Sequence, residues 1–313
     1  MSINAIPGTA KASTMQALAG TRRRRTRLIL LGYALVAPAV IWRLAIAIYP
    51  FLNTILQSFT NTSPLAGTSR FIGLGNYVRM FHDPVVMQSL SFTFLFTIVS
   101  TAAQLVYALG IALLLNRAFR GRGFVRAINL LPWAMPAIVI ATASQWMFNS
   151  QFGMIDDLIA RVLPFRPIWL ADPTLARGVV ILLDVWKNAP WAAILLLAGL
   201  QNVPRELYEA AKVDGASAWR TFYSVVLPML APLIFTLLIF ISAYRVLAFD
   251  LIYGLTQGGP GNATTLLSYQ IYQLAFNGLY YGYGSTVAVF AFLIVLTMSL
   301  IFFLFMRQSE RAL

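Results

Sequence analysis

The chain has 313 residues, of which 59% are hydrophobic and 11% charged, and its formal net charge at neutral pH is +13. Such a large apolar fraction excludes an ordinary soluble domain and indicates an integral membrane protein. There is no cysteine, so disulfide bonds and thiol chemistry are excluded as well.

Apolar stretches long enough to cross a hydrocarbon core of about 30 Å recur along the chain. They predict an all-α integral membrane protein with about six transmembrane helices, its transmembrane domain covering residues 28–307. Residues 1–27 are predicted to be a cytoplasmic tail, disordered over residues 1–21 because no hydrophobic period is present, and residues 308–313 a second short tail. The predicted spans lie near Leu28–Tyr49, Ser91–Leu115, Ala127–Phe148, Gly178–Leu200, Met229–Tyr253 and Ser285–Met306.

The basic residues fall mostly on one side of the membrane if the amino terminus is placed in the cytoplasm. This asymmetry follows the positive-inside rule, explains the net charge without nucleic acid as a partner, and predicts that both termini are cytoplasmic. The cytoplasmic side receives Lys11, Arg22 to Arg25, Arg27, Arg117, Arg120, Arg122, Arg126, Arg205, Lys212, Arg220, Arg307 and Arg311, and the outer side only Arg70, Arg79, Arg161, Arg166 and Arg177.

Two prolines, Pro132 and Pro136, interrupt the third predicted span. Prolines in a spanning helix free backbone carbonyls that neighbouring groups must satisfy, so such kinks occur where helices line a cavity or move. A kink with a purely structural role is the alternative.

The fourth span carries Asp184 and Lys187 at membrane depth, where ionisable side chains are costly and mark functional sites. The two residues are three apart and share a helical face, so an ion pair that neutralises both is one interpretation. The other interpretation is a pocket, because Pro190 breaks the helix beside them. Trp186 or Trp191 would then offer a flat apolar face on which a sugar ring can stack.

The longest polar interruption of the apolar sequence, Asn202–Pro228, predicts two short helices joined by a turn. Asn202 can cap the first helix, and Asp214-Gly215 ends it, because glycine tolerates the left-handed conformation that stops a helix. The second helix is predicted from Ala216 to about Val226, before Pro228 marks the next segment. A hairpin of this kind can dock into another protein.

The spacing of residues in this hairpin is specific. Glu209-Ala210-Ala211 is followed after three residues by Gly215, then after nine residues by Val225, one further residue and Leu227-Pro228. This pattern resembles the coupling loop of permease subunits in binding-protein-dependent ABC importers, except at Val225, where the family prefers isoleucine. The resemblance implies that the loop sits in a cleft of an ATPase subunit, with Glu209 making polar contacts and Gly215 permitting the turn. The coupling residues so implied are Glu209, Ala210, Ala211, Asp214, Gly215, Leu227 and Pro228.

The fifth span supplies a second polar cluster and leads into the run Leu255-Thr256-Gln257-Gly258-Gly259-Pro260. This run resembles the Leu-Thr-x-Gly-Gly-Pro segment of sugar importers. From about Leu28 to Arg307 the chain is similar to permease subunits of bacterial carbohydrate ABC importers of the maltose or glycerol-phosphate type. The maltose-importer permease contacts its substrate from the fourth and fifth of these spans. The matching residues here are Asp184, Lys187, Asn188, Trp191, Ser242, Tyr244, Arg245 and Ala248.

Three of these residues depart from the maltose-type subunit, which has neutral amides at the positions of Asp184 and Arg245 and an apolar residue at that of Lys187. Two cations against one carboxylate would leave a net positive pocket, which favours an anionic sugar carrying a sulfonate, phosphate or carboxylate. The alternative is that Arg245 pairs with Asp184 or Asp250 and only braces the helices.

The resemblance further implies a complex in the bacterial cytoplasmic (inner) membrane, formed with a second homologous permease subunit, two ATP-binding subunits and a periplasmic or lipoprotein solute-binding protein. The sequence contains no G-x-x-x-x-G-K-[ST] phosphate loop. The chain is therefore predicted to be a transport subunit rather than an enzyme and to hold no cofactor, with ATP and Mg on the partner ATPase subunits. The main alternative is an ion-coupled secondary transporter in which Asp184 or Asp250 binds a proton or sodium ion.

Overall fold

The computed structural model describes residues 8–67, 69–162 and 167–312, with side chains from residue 27 onward except those of residues 66 and 312. Residues 1–7 of the predicted tail, and Arg166 of the predicted outer side, lie outside the described residues. The chain divides into two compact units, residues 1–54 and residues 55–313.

The first unit consists of most of helix α1, Gly8–Ser58, whose apolar part from Arg27 to Ser58 is long enough to cross a membrane. Because the helix begins at Gly8, the prediction of disorder is wrong for residues 8–21. That segment lacks a hydrophobic period, but half of its residues are alanine, leucine, methionine or glutamine, and these residues favour a helix without needing an apolar face.

Four further helices of the described chain are long and apolar enough to cross a membrane, namely α3 (Pro84–Asn116), α7 (Pro173–Gln201), α10 (Leu227–Val246) and α13 (Tyr281–Ala312). The first two start earlier than the hydrophobic pattern predicted, because each begins with an Asp-Pro pair. Asp83 Oδ1 accepts a hydrogen bond from Val85 N (2.9 Å), and Asp172 Oδ1 accepts one from Thr174 N (2.9 Å). The carboxylates thereby satisfy amide groups that the first helical turn leaves unpaired.

The third predicted span is a bent pair of helices, α4 (Arg122–Ala134) and α5 (Ala137–Met147), which meet at 90°. The break lies at Met135, whose backbone is extended because Pro136 follows it. Pro132 is accommodated inside α4. The predicted spans are thus confirmed as five single helices and one broken pair.

Shorter helices connect or cover the spans. The fifth span ends at Val246, earlier than predicted, and Asp250–Leu255 forms a separate helix. The last helix continues to Ala312, through most of the segment predicted as a tail. The remaining helices are α2 (Gly75–His82), α6 (Met154–Ala160), α8 (Arg205–Val213), α9 (Ala218–Thr221), α11 (Asp250–Leu255) and α12 (Leu267–Tyr272), with π-helical turns at Phe222–Val226 and Gln273–Asn277 and a 3-10 turn at Pro64–Ala66.

Helices α3 and α7 form the centre of the second unit, and two apolar clusters join them. The cluster nearer the start of both helices includes Phe92 and Val180, with α5, α11 and α12 packed against it. The cluster nearer their other ends includes Ala108, Ala192 and Leu230, and it joins α10 to the pair. Small alanines allow the helices to approach closely there. Between the two clusters lies a layer of polar side chains, which forms the candidate site.

The start of α13 packs directly on the loop that follows α1. Gly282 N donates to Thr62 O (2.9 Å), and a Cβ at Gly282 would collide with the backbone carbonyl of Thr60. We expect Gly282→Ala to lower the free energy of unfolding by about 1–3 kcal/mol, because backbone cannot move aside as a flexible side chain can. Unfolding of the purified protein in detergent measures this. Gly110→Ala in α3 is the control, since a Cβ there meets nothing within 4 Å, and equal stability of the two variants would contradict the prediction.

Candidate functional site

An ion pair occupies the centre of the polar layer. Arg245 of α10 is 1% exposed and Asp184 of α7 is 3% exposed. Arg245 Nε donates to Asp184 Oδ2 (2.8 Å), and Arg245 Nη2 lies 2.7 Å from the same oxygen. Its Nη1 also donates to Thr101 Oγ1 (2.9 Å), and its Nη2 to Gln104 Oε1, both on α3. The guanidinium therefore ties three spans together, and each of its nitrogens has a partner.

The network continues to Asn188. Its side-chain amide donates to Asp184 Oδ1 (2.9 Å), so both carboxylate oxygens are bonded. Gln104 in turn donates from Nε2 to the Asn188 carbonyl (3.0 Å). Arg245 thus pairs with Asp184, the first of the two partners that the bracing interpretation names.

Lys187 lies beside this network but takes no part in it. Its side chain is 8% exposed, and Nζ donates to Trp133 O at the end of α4 (3.3 Å). That carbonyl is available because the break before Pro136 ends α4 and leaves its last carbonyls without helical partners. Within the described residues no carboxylate oxygen lies within 4.0 Å of Lys187 Nζ. The predicted Asp184–Lys187 ion pair is therefore not formed.

Two cavities adjoin the network. The larger has a volume of about 350 Å³ and is lined by the polar residues Gln104, Lys187 and Asn188 and by the aromatic residues Trp133, Trp191, Phe240 and Tyr244. The smaller, of about 190 Å³, is lined among others by Asp184, Lys187, Asn188, Tyr244, Ala248 and Asp250. Lys187, Asn188 and Tyr244 line both, so the two cavities share one wall.

Six of the eight predicted substrate-contacting residues line a cavity, and two do not. Arg245 is enclosed by its partners. Ser242 is 2% exposed, and its hydroxyl donates to the backbone carbonyls of Leu238 and Ile239 one turn earlier in α10. Neither residue lines either cavity, so in this structure both lie behind the cavity walls, and their contact with substrate stays a prediction.

Four residues that line the larger cavity were missed by sequence reasoning, namely Gln104, Trp133, Phe240 and Ile241. Gln104 carries a usable signal, because a carboxamide in the middle of an apolar span needs a partner inside the protein. Trp133 and Phe240 carry none, since aromatic residues in a span face lipid as often as a cavity.

The polar hairpin has the predicted form with two corrections. Gly215 has φ +71° and Ala216 N donates to Ala211 O (2.9 Å), which confirms a glycine-ended helix α8. Asn202 lies at the end of α7 instead of capping α8, which follows Pro204. The second helix also does not end near Val226. It continues from α9 through the π-helical turn into α10, so the second helix of the hairpin and the fifth span form one continuous helix.

The hairpin presents an exposed surface around its turn. Glu209, Ala210, Asp214 and Gly215 are exposed, and Glu209 has no hydrogen bond or ion pair within the part of the chain that the structure describes. Val213 (87% exposed) and Trp219 (69%) are apolar side chains beside these polar groups. The hairpin is anchored by residues that pack on the cluster of Ala108, Ala192 and Leu230, namely Tyr208 and Phe222. Ala211 is buried, Leu227 is partly buried and Pro228 is exposed.

The sequence model of the family described as "Binding-protein-dependent transport system inner membrane component" matches residues 104–313. The trehalose/maltose transport system permease protein MalF of Thermococcus litoralis is 36% identical over 286 residues, which cover 90% of this chain and 95% of that protein. The sulfoquinovosyl glycerol transport system permease protein SmoG of Agrobacterium fabrum is 36% identical over 282 residues, which cover 90% and 92%.

A solved structure with the same fold is that of a bacterial ABC transporter involved in the import of the acidic polysaccharide alginate. The TM-score is 0.79 at 23% sequence identity, and the match covers 93% of this chain and 99% of that one. At this level of identity the likeness concerns the fold alone.

Proposed function

The chain belongs to the family of binding-protein-dependent transport system inner membrane components, and we propose that it forms half of the path by which a sugar or sugar derivative crosses the membrane. It is a multi-pass membrane protein and a permease subunit of an ABC importer. The observation that carries the choice of substrate is the cavity of about 350 Å³ between α3, α4, α7 and α10.

That cavity combines the two kinds of groups that a sugar requires. Trp133, Trp191 and Phe240 supply apolar faces against the C–H side of a ring, and Gln104 and Asn188 supply amide groups at its polar edge. Among relatives of the chain, the Thermococcus litoralis protein is named for trehalose and maltose and the Agrobacterium fabrum protein for sulfoquinovosyl glycerol.

The hairpin Arg205–Val226 is the proposed attachment point of an ATPase subunit that carries ATP and Mg. Its exposed acidic and apolar side chains, Glu209, Val213 and Trp219, suit a docking surface. Because the hairpin continues directly into α10, a displacement of the hairpin moves the helix that holds Arg245. The ATPase would thus bias the permease between outward-facing and inward-facing states through a stiff connection.

The proposed complex contains a second homologous permease, two ATP-binding subunits and a solute-binding protein, and it lies in the bacterial inner membrane. Trp133, Phe240 and Tyr244 are each more than two-fifths exposed although they line the larger cavity. This open side supports a second permease subunit as the missing wall of the path.

The test is uptake of labelled sugars by the complete importer in proteoliposomes. We expect uptake that requires ATP inside the vesicles and continues after ionophores abolish the proton and sodium gradients. The ion-coupled alternative requires the opposite result, and uptake that stops with the gradient and ignores ATP would contradict the proposal. The pairing of Asp184 with Arg245 also leaves Asp250 as the one unpaired carboxylate of the two considered for ion binding.

A further inference from the structure

The larger cavity has one charged side chain in its lining, Lys187. Asp184 and Arg245 neutralise each other within one buried network, which leaves Lys187 as a buried cation at the wall of both cavities. Burying an ammonium group without a carboxylate in contact is costly, so we expect a negatively charged partner to bind it when the site is in use.

The remaining acid near Lys187 is Asp250, which is exposed and lines the smaller cavity only. Its carboxylate oxygens lie more than 4.0 Å from Lys187 Nζ. The larger cavity, where the aromatic residues lie, is lined by no carboxylate. A negative group entering the larger cavity therefore meets Lys187 without an acidic competitor on that side.

The hydrogen bonds of Lys187 agree with this charge balance. An ammonium group has three donors, and the structure gives Nζ one acceptor, the Trp133 carbonyl. The other donors remain for a ligand with several acceptor oxygens. The fixed acceptor also holds the side chain at the cavity wall, so the cation is positioned before the ligand arrives.

We propose that Lys187 binds a negatively charged group on the transported sugar, a carboxylate, sulfonate or phosphate, while Trp191 and Phe240 contact the ring. This inference rests on the proposed function and names the substrate class of the same site. Arg245, the other cation predicted to favour an anion, acts differently: its guanidinium is already bonded to Asp184, Thr101 and Gln104. Specificity for charge thus depends on one residue.

The test compares three sugars that share a ring and a glycerol group and differ only at C6: glucosyl glycerol, its glucuronosyl analogue and sulfoquinovosyl glycerol. Equilibrium binding of each is measured to the complete importer in lipid nanodiscs without the solute-binding protein, so that the selectivity of that protein does not enter. We expect the wild type to prefer the two anions, and Lys187→Met to weaken their binding about 10- to 100-fold while glucosyl glycerol changes little.

Two variants serve as matched controls. Lys187→Arg keeps the charge and should keep the preference for the anions. Trp191→Leu should weaken the binding of all three sugars by a similar factor. If Lys187→Met weakens binding of the neutral sugar as much as binding of the anions, the proposed role of Lys187 in binding the anionic group is overturned, while the carbohydrate function stands. If the intact, ATP-hydrolysing importer binds none of the three sugars, both proposals are overturned together.

Discussion

Replacing Arg245 with methionine is expected to lower the free energy of unfolding by about 3–5 kcal/mol, the largest effect of any single substitution considered for this chain. Removing the guanidinium leaves the Asp184 carboxylate buried between three spans with the Asn188 amide as its remaining side-chain partner. It also removes the partners of Thr101 and Gln104 on α3. Thermal and denaturant unfolding of the purified protein in detergent or nanodiscs measures the loss.

A double variant separates the net contribution of the ion pair to stability from the loss of stability caused by leaving one partner unpaired. In Asp184→Leu with Arg245→Met neither member of the pair remains as an unpaired charge, so most of the lost stability should return. Arg161→Met is the control, because the Arg161–Asp157 pair is exposed on both sides (71% and 58%) and should contribute less than about 1 kcal/mol. A stability of Arg245→Met equal to that of the control would mean that the buried pair does not brace the helices.

Changes in the hairpin are expected to stop transport without unfolding the protein. Glu209 is exposed and has no partner among the residues that the structure describes, so Glu209→Lys should leave the stability unchanged. In the assembled importer the reversed charge would face the groups that Glu209 contacts on the ATPase. Loss of a hydrogen bond to a charged group weakens a contact by about 10- to 100-fold. We therefore expect the rate of ATP-driven uptake to fall by at least about 10-fold. Uptake and ATP hydrolysis are measured on the same proteoliposomes.

The matched control for this variant is Glu310→Lys, which reverses an exposed charge near the end of α13, outside the hairpin.

A second pair of variants tests the turn of the hairpin itself. Gly215→Ala and Gly121→Ala both place a side chain at a positive φ, +71° and +87°, with open space around it, and each should cost about 1–2 kcal/mol. Only Gly215→Ala should also reduce coupled transport. Equal uptake in both glycine variants would argue against the hairpin as the coupling element.

Local sequence determined the spans and the hairpin. Apolar length alone is enough to locate a transmembrane helix, because a backbone in lipid must satisfy its hydrogen bonds internally. Pro136 and Gly215 set the break of the third span and the turn of the hairpin through their own backbone preferences. The polar residues of the fourth and fifth spans likewise marked the site, since ionisable groups at that depth require a partner or a function.

Which of those polar residues meet was decided by tertiary structure. Asp184 is three residues from Lys187 on one helix, yet it pairs with Arg245, which is 61 residues away. The rotation of α7 and α10 about their axes selects this pair, and that rotation is set by the packing of side chains such as Ala192 and Leu230 on α3. Sequence periodicity gives the face on which a residue lies, but it does not give the neighbour that the face will contact. For the same reason the sequence could propose two cations for the site, and only the folded chain shows that one of them, Lys187, has no carboxylate within 4.0 Å among the described residues.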